Sequence, residues 1–504
     1  MGPITGYDPA RPGGGRPPAV TREPGRGAEG DVTDLHLPLD RTAGRLATQI
    51  AAGFRSAVRS GRLTAGTRLP SSRDLARELD VSRGVVVAAY EQLTAEGFLV
   101  ARRGDGTRVA PLARPDEDFA PDGAPEPAPP PEPAPEPAPA YDLSPGCPDL
   151  SAFPRDRWMA AVRGALRTLP HDALAYPDPA GVPELRAELA GYLARIRAAH
   201  ADPSRVVVTN GMAQGLSALL RLLRDGGHTV LALEDPAGDR QMPMLKTSGL
   251  RVVRVPVDDE GVDVEALART KARAVLVTPA HQYPTGVVLS PARRAALVAW
   301  ARDVNGLILE DDYDAEFRYD RDPIGCLQGV APDHVVLLGS ASKSLAPALR
   351  LGWAVAPPAV AARLREHRER TDLGAPVLEQ YAFAEFLGQG GYGRHLRLMR
   401  RRYRSRRDAL VTALRRHVPG AMVRGVPAGI HLYVELPDGC DEDEVVARAA
   451  DAGVSAAGAR SLWSSDRAGD APPALVLGYA RLPETSLVKA AELLGQAVTH
   501  GGGG

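Results

Sequence analysis

One lysine of this chain stands among residues that suit covalent chemistry. Of the 61 lysine and arginine residues in the 504-residue sequence, four are lysines, at positions 246, 271, 343 and 489. Lys343 lies in the segment GSASKSLAPALRLG, where hydroxyl side chains flank it and Arg350 follows. A primary amine forms a Schiff base with an aldehyde, and a guanidinium cannot replace it. The segment therefore suits a ligand with an aldehyde and a phosphate. The alternative is that a general bias toward arginine has left a few lysines at positions without any special role.

Short β-branched runs alternate with helical patterns over the larger, C-terminal part of the chain. They predict strands at residues 206–209, 229–232, 274–277, 307–309 and 335–338. A helical pattern at 214–223 follows the first of them. This alternation indicates an α/β domain with a mostly parallel sheet. Ligands of such sheets bind at the carboxyl ends of the strands, so the residues that follow each run are candidates.

The residues that follow three of these strands could form one site. After the first strand, Gly211 opens a helix whose free N–H groups can bind an anion. Asp311 and Tyr313 follow the fourth strand and would point the same way if that strand continued. Lys343 follows the fifth. A carboxylate or a tyrosine at a strand end is often structural, but their joint appearance at successive strand ends favours a binding site.

A smaller, basic segment precedes a proline-rich stretch. Residues 41–110 contain twelve arginines and six acidic residues, a net charge of +6 against −1 for the whole chain. Helical spacing predicts three helices, of which the second opens at Ser71 and the third begins at about Arg83. Two short strands then predict a wing. Two helices joined by so short a turn form a helix-turn-helix, and the positive charge suits the phosphate backbone of DNA.

The segment GRLTAGTRLPSSRDLARELDVSRGVVVAAYEQLTAEGFLVARRGDGTRV resembles the winged helix-turn-helix of the GntR superfamily of bacterial regulators. The resemblance implies an α+β domain that contacts DNA through two helix N-termini and the wing tip. By position, the implied contacts are Arg73, Ser82, Arg83, Gly84 and Arg103. Any one of these arginines alone could equally be a solvated surface residue.

Composition divides the chain into four parts. We predict a disordered lead at 1–34, the winged helix-turn-helix domain at 35–110, a linker at 111–140 and the α/β domain at 141–500. The linker holds twelve prolines in thirty residues and should be stiff, with a rise of ~3.1 Å per residue. The three cysteines show no spacing typical of disulfides or zinc, and no apolar run predicts a signal peptide or a membrane span. A cytoplasmic protein without a metal site is therefore expected.

The larger domain resembles the class I aminotransferases, which have the fold type I architecture of pyridoxal-phosphate-dependent transferases. The motifs are GSASKSLAPALRLGW, AYPDPAGVPELRAELAGYL, VTNGMAQGLSALL, TPAHQYPTG and LEDDYDAEFRY. The resemblance implies pyridoxal 5'-phosphate held as a Schiff base by Lys343, with Asp311 on the pyridinium nitrogen and Tyr313 on the ring O3′. It implies that the phosphate is held by Gly211, Met212, Ala213, Ser340, Ser342 and Arg350. Because the attacking amine must be neutral, a neighbouring cation such as Arg350 is expected to lower the pKa of Lys343.

A winged helix joined through such a linker to an aminotransferase-like domain resembles the MocR-type regulators of the GntR superfamily. The resemblance implies binding to double-stranded promoter DNA. It also implies that pyridoxal phosphate, sometimes with an amino acid or amine effector, controls this binding. Finally, it implies a head-to-tail homodimer.

Two positions depart from the pattern of the enzymes. Gly238 stands where an aromatic residue commonly covers the cofactor ring, and Val476 where an arginine binds the substrate carboxylate. Losing such a charge-assisted bond costs ~1.5–3 kcal/mol and would weaken amino transfer more than cofactor capture. Three interpretations stay open: a cofactor-responsive regulator, an active aminotransferase with a regulatory DNA-binding arm, and a regulator that has lost the cofactor. Lys343 would be catalytic only in the second.

Overall fold

The computed structural model describes residues 37–102, 106–111, 138–320 and 324–499. The chain falls into two compact units, with the division after residue 134. The predicted lead, most of the predicted linker and Arg103 lie outside the described residues. Among the described helices, none is long and apolar enough to cross a membrane.

The first unit contains the predicted helices followed by a two-stranded wing. Its elements are α1 (Leu46–Arg59), α2 (Ser72–Glu78), α3 (Arg83–Ala95), β1 (Leu99–Arg102) and β2 (Gly106–Val109). Ser71 caps α2, because its hydroxyl oxygen accepts a hydrogen bond from the backbone N–H of Asp74 at 3.2 Å. β1 and β2 pair antiparallel, with Leu99 opposite Val109. The predicted winged helix-turn-helix is therefore confirmed.

Apolar spacing along α1 explains how the helices of this unit pack. Ile50, Phe54 and Val58 are buried at intervals of four residues, which places them on one face of the helix. Phe54 meets Tyr90 of α3 edge to face, with ring centroids 5.8 Å apart. Tyr90 also donates a hydrogen bond to the carbonyl of Pro70 at 3.0 Å. The third helix is thereby held against the turn that precedes α2.

The second unit is the α/β domain. Its helices are α4 (Arg155–Thr168), α5 (Pro183–Arg197), α6 (Met212–Asp225), α7 (Met242–Thr247), α8 (Val264–Ala268), α9 (Pro291–Asp303), α10 (Leu327–Val330), α11 (Pro358–Thr371), α12 (Val377–Gly388), α13 (Gly391–His417), α14 (Glu442–Asp451) and α15 (Glu484–Thr499). Its strands are β3 (Tyr141–Asp142), β4 (Val206–Thr209), β5 (Val230–Asp235), β6 (Arg251–Asp258), β7 (Gly261–Val262), β8 (Ala274–Val277), β9 (Leu307–Asp312), β10 (Val335–Ser340), β11 (Gly352–Val355), β12 (Met422–Arg424), β13 (His431–Glu435), β14 (Val454–Ser455), β15 (Ala457–Gly458) and β16 (Ala474–Gly478).

The main sheet of this unit has the strand order β4-β11-β10-β9-β8-β5-β6-β7 within the described residues. The central strands β10, β9, β8, β5 and β6 run parallel, whereas β11 is antiparallel to both of its neighbours. Every residue of β4 and β8 is buried, as expected for strands whose two faces are both covered by helices. The predicted α/β domain with a mostly parallel sheet is confirmed.

A smaller antiparallel sheet follows in the chain, with the order β12-β13-β16-β15 in the part that the structure describes. The helix α13, which is 27 residues long, leads into it. α13 and the strand β13 of this sheet both carry residues that bear on the candidate site.

Candidate functional site

The register of three neighbouring strands brings predicted phosphate-binding residues to one edge of the main sheet. Thr209, the last residue of β4, pairs with Gly352 of β11, and Gly352 pairs in turn with Ser340 at the end of β10. A Cβ atom on Gly352 would lie 2.6 Å from the carbonyl carbon of Gly211, so the turn after β4 packs directly on β11. Ser342 lies in the turn after β10, where its backbone N–H donates to Oγ of Ser340 at 3.4 Å. The ends of β4 and β10 are therefore close neighbours.

The turn after β4 has the properties of an anion site. Gly211 has a φ of 77° and precedes Met212, the first residue of α6, and no described side chain caps this helix. The N–H groups of Met212 and Ala213 are therefore available to a ligand, with the positive end of the helix dipole behind them. Arg350 lies beside this turn, where its Nη2 donates to the carbonyl of Asn210 at 2.8 Å. A guanidinium, free amides and a helix N-terminus together suit a phosphate.

Lys343 lies in the turn after β10 and is partly buried. Its amine donates a hydrogen bond to the carbonyl of Gly146. Burial lowers the pKa of Lys343, and the positive charge of Arg240, in the loop after β5, lowers it further. A neighbouring cation was expected to lower this pKa, with Arg350 as the example; the cation that does so is Arg240, because sequence proximity does not decide which guanidinium lies near the amine. The lowered pKa favours the neutral amine that attack on an aldehyde requires.

Asp311 lies in β9, the strand that pairs with β10. It is only 8% exposed, and neither a hydrogen bond nor an ion pair joins its carboxylate to another described residue. Burial raises the pKa of Asp311 to about 7, the negative charge of Asp312 adds to the rise, and the positive charge of Lys343 opposes it. Asp312, by contrast, pairs with Arg197 at 2.8 Å. Asp311 is thus a buried acid without its own cation, an environment that suits a protonated ring nitrogen.

Tyr313 is held by residues that sequence reasoning did not identify. Its hydroxyl donates to the backbone carbonyl of His281 at 2.9 Å and lies 3.0 Å from Nδ1 of the same residue. This Nδ1 also lies 3.1 Å from Oδ2 of Asp314. The approach requires Gly429, whose φ is 70°, because a Cβ atom there would overlap both His281 and Asp314. Tyr313, His281 and Asp314 therefore form one hydrogen-bonded cluster, and the charge of Asp314 acts on the pKa of Lys343.

His431, on β13, extends this cluster. Its ring centroid lies 5.0 Å from that of His281, and its Nε2 lies 3.0 Å from the carbonyl oxygen of Pro284. Burial lowers the pKa of His431 to about 4, so this imidazole is neutral near pH 7. The ligand atoms of His281, Asp314 and His431 lie within 4.8 Å of one another, a donor set that transition metals accept. The cysteine spacing, on which the expectation of no metal site rests, carries no information about these three residues.

Gly238 and Val476, the two positions that depart from the enzyme pattern, both lie in the neighbourhood of Tyr283. A Cβ atom on Gly238 would lie 3.4 Å from ring carbons of Tyr283, so an aromatic side chain is present beside this glycine. Val476 is fully buried in β16, in a cluster with Tyr433 and Leu462 against which Tyr283 packs. Apolar packing therefore fills the surroundings of position 476, and this position offers no cation to a carboxylate.

The predicted DNA contacts of the first unit lie at two helix N-termini. Ser82 is the N-cap of α3, and its hydroxyl makes no capping hydrogen bond to the described residues. Arg83 and Gly84 follow in the exposed first turn of α3, and Arg73 is exposed near the start of α2. Nε of Arg83 donates to the hydroxyl of the first residue of α2 at 3.3 Å, which links the two N-termini. The fifth predicted contact, Arg103 at the wing tip, lies outside the described residues.

Comparisons with known proteins assign both units. Residues 46–109 match the bacterial regulatory proteins of the gntR family, and residues 144–456 match the aminotransferases of class I and II. The fold is similar to that of LysN, an alpha-aminoadipate aminotransferase from Thermus thermophilus solved in complex with N-(5'-phosphopyridoxyl)-L-leucine. The two share a TM-score of 0.64 and 26% identity over 71% of this chain and 92% of that one. The chain therefore joins a GntR-type DNA-binding domain to an aminotransferase-like domain.

Two transcription regulators are similar over most of their length. The pyridoxine biosynthesis regulator PdxR of Corynebacterium glutamicum is 34% identical over 447 residues, which cover 87% of this chain and 93% of PdxR. The probable rhizopine catabolism regulatory protein MocR of Rhizobium meliloti is 32% identical over 428 residues, which cover 82% of this chain and 86% of MocR. The chain belongs to the MocR-type regulators of the GntR family, and it is a DNA-binding transcription regulator. The resemblance inferred from its motifs is confirmed.

Proposed function

We propose that this regulator binds pyridoxal 5'-phosphate at Lys343 in the cytoplasm, and that the bound cofactor sets its affinity for promoter DNA. The observation that carries the proposal is Asp311, a buried carboxylate with no cation of its own among the described residues. It lies one strand away from an amine whose pKa is lowered. Pyridoxal phosphate offers an electron-withdrawing ring with an aldehyde, a basic nitrogen and a phosphate, and the residues present fit all three groups.

Each of these groups would meet a suitable partner at the carboxyl edge of the main sheet. Lys343 would present to the aldehyde carbon an amine whose lowered pKa favours the neutral form. Asp311 would keep a proton on the ring nitrogen, because the protonated nitrogen would form an ion pair with the buried carboxylate. This ion pair would offset the cost of burying the charge of Asp311. The N-terminus of α6 and Arg350 would hold the phosphate. Tyr313, positioned by His281, would orient the ring through its phenolic oxygen.

Arg240 supports an amino acid as a second ligand. It is exposed, lies close enough to Lys343 to lower the pKa of that amine, and forms no ion pair within the described residues. A carboxylate beside Lys343 would meet this guanidinium in a charge-assisted contact. The apolar surroundings of Val476 offer no such cation, so recognition differs from that expected of an active aminotransferase, and we infer sensing rather than turnover.

Exposed apolar side chains support a homodimer. Met159 and Leu166 on α4 are 55% and 52% exposed, and Tyr176 is 85% exposed. A second copy of this chain would remove these side chains from water. We infer the head-to-tail dimer that the family resemblance implies. The double variant Met159→Glu/Leu166→Glu should then sediment as a monomer while the wild type sediments as a dimer, and a variant that remains dimeric would contradict this interface.

Replacing the lysine tests the proposed function. Wild-type protein mixed with pyridoxal phosphate should show the visible absorbance band of a lysine-bound cofactor, and Lys343→Ala should not. Lys246→Ala removes an exposed lysine from α7 and serves as the matched control. The cofactor should change the affinity of the wild type and of Lys246→Ala for a promoter fragment selected from genomic DNA, but not that of Lys343→Ala.

Three results would overturn the proposal. A Lys343→Ala protein that responds to the cofactor like the wild type would remove the sensing role from this lysine. A wild type without the absorbance band would be a regulator that has lost the cofactor. Conversion of an amino acid and a keto acid at ordinary enzyme rates would make the protein an aminotransferase.

A further inference from the structure

The long helix α13 carries a row of arginines outside the residues assigned to the cofactor. Arg397, Arg400, Arg401 and Arg404, which we call the arginine row, form the lining of an open recess of about 210 Å³. Their spacing of three and four residues places them on one face of the helix. Four like charges around one recess repel each other unless an anion lies among them.

Two members of the row are fixed in place without being neutralised. Arg400 donates to the backbone carbonyl of Glu316 through Nε at 3.1 Å and through Nη2 at 2.8 Å. Arg404 donates to the backbone carbonyl of Tyr319. A carbonyl orients a guanidinium but carries no net charge, so the remaining N–H donors and the full positive charge stay available to a ligand.

Other arginines of α13 show the contrast. Arg402 and Arg406 each lie 2.9 Å from the buried carboxylate of Asp149, which balances part of their charge. Arg397 and Arg401 are exposed, and neither forms an ion pair with a residue in the described part of the chain. The sequence of this helix thus pairs some of its arginines with an acid and leaves the arginine row unpaired.

We propose that the arginine row binds phosphates of the DNA backbone and gives this regulator a second DNA contact besides the winged helix. From its first to its last member the helix rises by about 10 Å at 1.5 Å per residue. Duplex DNA carries one phosphate per ~3.4 Å of axis on each strand. A row of this length therefore suits several successive phosphates better than one small anion. Each guanidinium can also donate two parallel hydrogen bonds to the oxygens of one phosphate.

DNA is the polyanion that the family of this chain already binds. A contact of this kind reads no bases. It adds affinity and salt dependence and helps to fix the path of the duplex.

Salt-dependent binding to duplexes of two lengths tests the proposal with the full-length protein. Random-sequence duplexes of about 15 and about 60 base pairs are used, of which the shorter accommodates little more than one half-site of a helix-turn-helix. On the longer duplex, Arg397→Gln/Arg401→Gln should make the slope of log affinity against log salt shallower by about 1.8, since each lost phosphate contact removes about 0.9. On the shorter duplex the variant should match the wild type.

Two controls separate the contact from damage to the fold and from general charge effects. Arg415→Gln/Arg416→Gln removes two exposed arginines from the other end of the same helix and should leave both slopes unchanged. Arg397→Lys/Arg401→Lys keeps the charges and should retain most of the wild-type slope. All variants should keep the wild-type melting midpoint.

An unchanged slope in Arg397→Gln/Arg401→Gln on the longer duplex would overturn the proposal. The proposal would also be overturned if this variant lost binding of inorganic pyrophosphate while its DNA binding and salt dependence stayed the same. The arginine row would then be a site for a small anion. Neither slope requires pyridoxal phosphate, so the outcome is independent of the cofactor experiment at Lys343.

Discussion

Replacing Asp311 by asparagine should stabilise the cofactor-free protein at alkaline pH while weakening its affinity for pyridoxal phosphate. Burial raises the pKa of Asp311 from 3.8 to about 7. A carboxyl with a higher pKa in the folded than in the unfolded state binds more protons when folded. Its contribution to stability is therefore fully present below the unfolded pKa and is lost as the pH rises through 7.

The magnitude follows from this shift. Between pH 6 and pH 8 the unfolded carboxyl is ionised throughout, whereas the folded carboxyl changes from mostly protonated to mostly ionised. On average over these two pH units, the folded carboxyl holds about half a proton more than the unfolded one. The integral of this difference over pH is therefore about 1. The folded state should therefore lose about 1.4 kcal/mol through Asp311 alone. Asparagine has nearly the same shape and does not titrate, so the variant should lack this loss.

Urea unfolding of cofactor-free wild type and Asp311→Asn at both pH values measures the effect. The wild type should lose about 1.4 kcal/mol more than the variant between pH 6 and pH 8. Other buried acids, such as Glu310 and Glu316, titrate in both proteins and cancel in the difference. Asp259→Asn, an exposed carboxylate in the turn after β6, should behave like the wild type. Equal losses in wild type and Asp311→Asn would refute the conclusion that this carboxylate is buried without a partner.

Three further changes probe other parts of the chain. Arg83→Ala should weaken binding to a selected promoter fragment by about 1–3 kcal/mol and relax its sequence preference, as measured by competition with point-mutated fragments; unchanged binding would place the base contacts elsewhere. Ser71→Ala should destabilise the winged-helix unit by about 1 kcal/mol in thermal unfolding, and Ser71→Thr should not, because the threonine hydroxyl can also cap the helix and donate to the carboxylate of Asp74. Gly429→Ala should cost more than 1 kcal/mol in calorimetry, because its backbone has a positive φ and its Cβ would displace His281 from Asp314; a melting temperature equal to that of the wild type would contradict this close approach.

The strands and the residues at their ends could be predicted because both signals are local. The run Val206–Thr209 forms a strand, and Gly211 follows it within two residues. Asp311 and Lys343 likewise lie at or just beyond strands that hydrophobicity alone indicates. The carboxyl ends of parallel strands meet at one edge in every sheet of this type, so the convergence of these residues could be expected before any contact was known.

The cluster around His281, Asp314 and His431 could not be found in this way, because it depends on tertiary packing. His431 lies in the smaller sheet, and its local pattern is that of any buried strand residue. The same limit explains why Arg350 rather than Arg240 was expected to lower the pKa of Lys343. Both Arg350 and Arg240 are cations near strand ends, and only the folded chain decides which of them acts on the amine.

The helix α13 contacts the turn that holds Lys343 and also carries the arginine row. Near its start, Tyr392 donates to the hydroxyl of Ser344 at 2.8 Å, and Nε2 of His395 lies 2.8 Å from the carbonyl oxygen of the same serine. That serine adjoins Lys343, and the arginine row begins two residues after His395. The contacts to the lysine turn and the arginine row both lie in the N-terminal half of α13, on consecutive turns of one continuous helix. A movement of the lysine turn that displaced this part of α13 would therefore also displace the arginine row.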